Sequence, residues 1–151
     1  MRAAAIFLSI MLLPTLAQAA DSTLVRKASA HSVAMTLDRL TTIVESKGAK
    51  VFARVPHSSG AQKVGMELRP TEALIFGNPK LGTPALQASQ EMGLDLPLRV
   101  VAYEAADGKV WLAYRAPGAT AAAHGVPADA PEILPIEKAL NALTDAAVKA
   151  D

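Results

Sequence analysis

Seven residues carry the candidate chemistry of this chain: His57, Arg69, Asn78, Lys80, Thr83, Asp95 and Trp111. His57 follows Pro56 and precedes Ser58-Ser59-Gly60, in a stretch that reads as a loop, where an imidazole serves as an acid/base group, a metal ligand or a ligand contact. Each role needs a partner, and Asp95, His124 and Glu67 are the candidates. None stands at a diagnostic metal-ligand spacing, so no metal site and no cofactor are expected. His31 and His124 fall in exposed-looking connections and rank below His57. Ser58 and Ser59 adjoin His57 in sequence, but no G-x-S-x-G elbow is present to aim a hydroxyl. An enzyme built on this chain would be hydrolase-like, with His57 and Asp95 as acid and base.

Residues 77–83, GNPKLGT, form a glycine-containing turn before a helix, where backbone N–H groups and Lys80 attract a small anionic or polar group. The order is wrong for a nucleotide loop, because lysine there follows the final glycine and here precedes Gly82. A purely structural turn is the competing reading. Arg69, before Pro70, is a candidate carboxylate clamp or an ordinary surface cation. Trp111 and Tyr114 pack on opposite faces of one strand. On a face without helices, Trp111 would mark a dimer surface or a ligand floor.

The elements that position these residues follow from periodicity. Residues 21–29 read as a first strand, and residues 33–47 as a helix capped by Ser32 with Val33, Leu37, Leu40 and Val44 on one stripe. Strands follow at 50–55 and 72–76, separated by an irregular connection. Thr83 is expected to cap a helix with Pro84 at its first position, closing at Gly93. Residues 99–104 and 109–115 are two strands joined at Asp107-Gly108, and in the second Val110, Leu112 and Tyr114 share a face. One or two helical turns fit residues 119–124. Ile133, Ile136, Leu140, Leu143 and Ala147 form the stripe of a last helix. The order β-α-β-β-α-β-β-α predicts an α+β domain: a curved, mainly antiparallel sheet of about five strands with helices packed on one face.

Bulk properties bound the setting. Arg2, an apolar run at residues 3–13 and Ala17-Gln18-Ala19 read as a signal peptide over residues 1–19, leaving one globular domain at 20–151. The run is too short to span a bilayer, so no stable membrane insertion is expected once it is removed. The expected location is periplasmic or secreted. The chain has no cysteine, so packing rather than disulfides must stabilise it. Basic and acidic residues number 15 and 14 and are interspersed along the chain, which argues against nucleic acid as a partner.

TLDRL in the first helix, GAKVFARVPHSSGA, the RPT at residues 69–71, LIFGNPKLGTP, LDLPLR and Gly108 with Val110-Trp111 resemble, in that order, the domain of unknown function 302 family. The resemblance covers nearly the whole chain after residue 24. It implies a TATA-binding-protein-like α+β fold and no established activity, and it marks His57, Asn78, Pro79, Gly82, Thr83, Asp95, Pro97 and Trp111 as positions matching the family's pattern. The leading expectation is a non-enzymatic homodimeric module that binds or senses a small polar or anionic ligand around the central turn. A structural protein-partner module is the other non-enzymatic alternative.

Overall fold

The computed structural model describes residues 23–150, and the leader expected at residues 1–19 lies outside them. Strand β1 (Leu24–Ser29) leads to helix α1 (Val33–Ser46), strand β2 (Lys50–Pro56) and a short helix α2 (His57–Lys63). Strand β3 (Thr71–Gly77), helix α3 (Pro79–Ala88) and a 3-10 turn at Gln90–Leu94 precede the hairpin β4 (Leu98–Glu104) and β5 (Val110–Arg115). Helices α4 (Pro117–Ala123) and α5 (Leu134–Val148) complete the described chain. The strands form one open sheet, ordered β1-β5-β4-β3-β2, with every neighbouring pair antiparallel. The fold class is therefore α+β.

Helix α1 begins where the Ser32 hydroxyl accepts the Met35 amide at 3.3 Å, and it buries Val33, Leu37, Leu40 and Val44. Helix α5 buries Ile136, Leu140 and Ala147. The α1 stripe and Leu140 and Ala147 of α5 meet the same sheet face, where Leu74, Phe76, Val100, Ala102, Leu112 and Tyr114 complete the main core. Two cations on that face fasten the helices. Arg54 forks onto Glu72 at 2.7 and 3.1 Å and reaches Asp38 and the Ala34 carbonyl of α1. Its hydrogen bond to Glu72 is the main reason its pKa lies above the ordinary arginine value. Lys27 donates to the Asn141 carbonyl at 2.9 Å and to Asp145 at 2.6 Å on α5.

Two local expectations are corrected. Residues 57–63 form helix α2 rather than a loop; it buries no side chain, so it carries no apolar period to read. Helix α3 starts five residues earlier than Thr83 and Pro84 suggest. Asn78 and Pro79 carry the same cap-then-proline signal, and the chain uses this first pair: Asn78 Oδ1 accepts the Lys80 amide at 3.0 Å, while Pro84 lies inside the helix. The helix closes at Ala88 rather than at Gly93, which falls in the 3-10 turn. A second, smaller core forms under α3, this turn, α4 and the start of α5, with Ala85, Met92, Ala121, Val126, Ile133 and Ile136.

The cap assignment predicts that Asn78→Ala lowers stability by about 1 kcal/mol in urea unfolding, with an unchanged denaturant slope. Thr83→Ala should leave the midpoint nearly where it is. At the β4–β5 turn, Gly108 takes φ +78° and the Asp107 carboxylate accepts the Lys109 amide at 3.1 Å. Its pKa lies below the ordinary carboxylate value, first because of the Lys109 side chain and then because of the Lys109 amide. The stabilisation this turn gains from ionised Asp107 is fully present above the unfolded-state pKa and is lost as pH falls through the lowered folded-state value. A carboxyl NMR titration should show that lowered midpoint, and Lys109→Ala should move it back toward the ordinary range.

Candidate functional site

Pairing between β4 and β5 ends at Val100 opposite Tyr114. Both strands run on, β4 to Leu98 against Phe76 of β3 and β5 to Arg115 against Leu24 of β1. Strands β4 and β5 therefore part at this end of the sheet. A cavity of about 410 Å³ lies there, lined by Ala73, Val101 and Ala113 from the open face and by Met92, Ile133 and Leu140 from beyond the sheet. Asp95, Arg99, Arg115 and Thr120 supply polar groups to the same wall.

Strand register sorts the charges. Lys27, Arg54, Glu72 and Glu104 fall on the rows that face α1 and α5, two of each sign. Arg26, Lys50, Arg99 and Arg115 fall on the opposite rows, with no strand carboxylate among them. Charges interspersed in sequence are thus segregated in space. Arg26 stands opposite Ala113 and Arg115 opposite Leu24, which makes them diagonal neighbours at roughly 7 Å. Both are exposed, and neither enters an ion pair among the described residues. Arg99 reaches Asp95 Oδ1 at 3.4 Å.

Asp95 is held more closely by His124, whose Nε2 lies 2.7 Å from Oδ2. His124 caps the C-terminus of α4, and its side chain is only 11 % exposed. The pair ties α4 to the approach of β4, across the end of the cavity. It also removes Asp95 from the pair expected with His57. His57 opens α2 beyond Pro56, opposite Glu72, whereas Asp95 precedes Leu98, opposite Phe76, so the sheet separates them by about 15 Å.

The remaining expected residues divide between the two ends. Asn78 and Thr83 line a second cleft of about 230 Å³ under α3, whose other walls include Phe52, Phe76, Leu86, Pro97 and Leu143. Its character is apolar, because the Asn78 amide is engaged with the backbone: Oδ1 caps α3 and Nδ2 donates to the Gly48 carbonyl at 3.5 Å. Lys80 is exposed and lines neither cavity. Arg69 donates to the Glu104 carbonyl at 3.1 Å at the far end of the sheet. Trp111 does lie on the open face, between Ala28 and Tyr103, but outside both cavities. Thus Asp95 alone of the expected residues enters the arginine-flanked cavity. His124, weighed as a partner for His57, instead pairs with Asp95. Arg26, Arg99 and Arg115 were missed, although the alternation of β5 already put Arg115 with Trp111 and Ala113, away from the apolar stripe.

The model of "Domain of unknown function DUF302" matches residues 25–147. The chain belongs to the DUF302 family. A crystal structure of an uncharacterized DUF302 protein from Bacillus stearothermophilus superposes with a TM-score of 0.76 over 83 % of this chain and 98 % of that one, at 21 % identity. That likeness establishes the fold. Among curated proteins, the fluoride-specific ion channel FluC 1 of Brucella suis biovar 1 (strain 1330) is 45 % identical over 113 residues, covering 75 % of this chain and 44 % of the channel protein. FluC 1 of Brucella abortus biovar 1 (strain 9-941) matches at the same identity over 42 % of its length. The DUF302 chain therefore spans less than half the length of these relatives. Among its described residues, no helix is long and apolar enough to cross a membrane.

His124→Ala should lower stability by about 1–2 kcal/mol, since Asp95 keeps only its longer contact with Arg99. Hydrogen exchange should localise the loss, with the Ala121 and Val126 amides exchanging faster while those of α1 are unchanged.

Proposed function

We propose that this DUF302 chain is an exported, non-enzymatic domain that binds a small organic anion in the cavity where β4 and β5 part. The observation carrying this reading is the pair Arg99 and Arg115 on the wall of a cavity lined mostly by apolar side chains, with Arg26 a diagonal neighbour of Arg115 on the open face. Guanidinium forks match a carboxylate in shape and charge, and an apolar interior takes the hydrocarbon attached to it. Asp95 faces Arg99 at 3.4 Å, which leaves the Arg115 guanidinium without a carboxylate among the described residues. The arginines gather at one end of the sheet, where nucleic acid would require a charged track following its backbone. Export rests on the leader pattern at residues 1–19. Face-to-face pairing of two copies, or pairing through the edge of β1, would bring these cations together, so the opposite edge strand, β2, is the surface we assign to a homodimer.

A second reading is favoured by the Brucella relatives, which are named as fluoride channels and contain the matched region within a longer protein. On it, the domain is a non-spanning partner of a membrane channel, and its anion is fluoride.

Calorimetric titration of the purified protein at constant ionic strength separates the two. Hexanoate should bind, and Arg99→Ala or Arg115→Ala should each weaken it about tenfold or more. Sodium chloride should give no signal. Binding of fluoride but not hexanoate would favour the second reading, and hexanoate binding indifferent to both arginines would sink the first.

A further inference from the structure

The anion reading leaves the interior of the site unassigned, and the inference here rests on that reading and extends it. The arginine-flanked cavity and the apolar cleft under α3 share three wall residues, Leu96, Leu98 and Ile136. Leu98 is only half-buried, and it packs against both the main core and the smaller one. One leucine side chain thus stands where the two spaces adjoin.

We infer that the two cavities form one bipartite site for a linear alkyl carboxylate, with its head at Arg99 and Arg115 and its chain running past Leu98 into the cleft under α3. The chemistry of the two ends sets the direction. The first cavity brings guanidinium groups to its wall, whereas the second is walled almost entirely by hydrocarbon, and its Asn78 amide is already engaged with the backbone. Gly82 leaves the second cleft unfilled: a Cβ placed there meets only Leu96 Cδ1, at 3.9 Å. A chain threaded between the cavities would exchange water for Phe52, Phe76, Leu81, Leu86 and Leu143, which is the source of its affinity.

The test is an alkanoate series, hexanoate, octanoate and decanoate, titrated calorimetrically below their micelle concentrations at one pH and ionic strength. Affinity should rise about fourfold per added methylene. Gly82→Leu and Ala139→Phe, which fill the second cleft from different helices, should leave hexanoate binding unchanged and flatten the rise. Two variants guard against one that fails to fold, and thermal unfolding of each checks this. Hexanoate binding with no gain along the series overturns the bipartite site and leaves the anion reading standing. Binding of no member overturns both. A series abolished by Lys50→Ala but indifferent to the arginines overturns the direction, since Lys50 stands over the Phe52 ring at the cleft wall.

Discussion

One sheet face has to bury the apolar stripes of both long helices. Val33, Leu37, Leu40 and Val44 of α1 and Leu140 and Ala147 of α5 can leave water only against a surface broad enough for two helices. Five antiparallel strands supply it, through Leu74, Phe76, Val100, Ala102, Leu112 and Tyr114. Because side chains alternate along a strand, this choice commits every other strand residue to the opposite face. The open face, its arginines and Trp111 follow from where the helices pack.

The same packing explains how charged residues are tolerated beneath the helices. Arg54 of β2 and Lys27 of β1 sit on the covered face at the two sides of the sheet, where each meets acidic or carbonyl oxygen from a helix. Burying a cation such as Lys27 is costly unless its donors are matched; Arg54 stays partly in water, and in both cases the matching also fixes the helix positions. On the open face no helix supplies carboxylates to Arg26 and Arg115. Among the described residues neither enters an ion pair, and Arg115 brings that charge to the cavity wall beside Arg99.

The site depends on an imperfection in the sheet. Had β4 and β5 stayed paired to their ends, the ladder would have closed the gap above Ile133 and Leu140. Instead β4 follows β3 and β5 follows β1, and the smaller core under α3 and α4 grows beside the opening. Membership of the DUF302 family and the Bacillus stearothermophilus neighbour account for the scaffold; the chemistry at the opening belongs to the side chains of this chain.

Much of the scaffold was legible because it rests on local physics. The stripe of α1, its Ser32 cap, the Asp107-Gly108 hairpin and the alternation of β5 each depend on neighbours a few residues apart. Where two adjacent segments carried equal signals, at Asn78-Pro79 and Thr83-Pro84, sequence could not choose, and where α2 buried nothing there was no signal to see. The site was largely illegible. His124 and Asp95 are 29 residues apart, and Arg26, Arg99 and Arg115 come from three strands. The sequence by itself determined the family, the α+β class and the inward-facing residues of α1, α5 and β5, because those stripes are set by periods of 3.6 and 2. Only the tertiary structure decided which arginines meet, which carboxylate is taken by His124 and where the strands part, because strand order and register bring together residues whose separation in sequence carries no period.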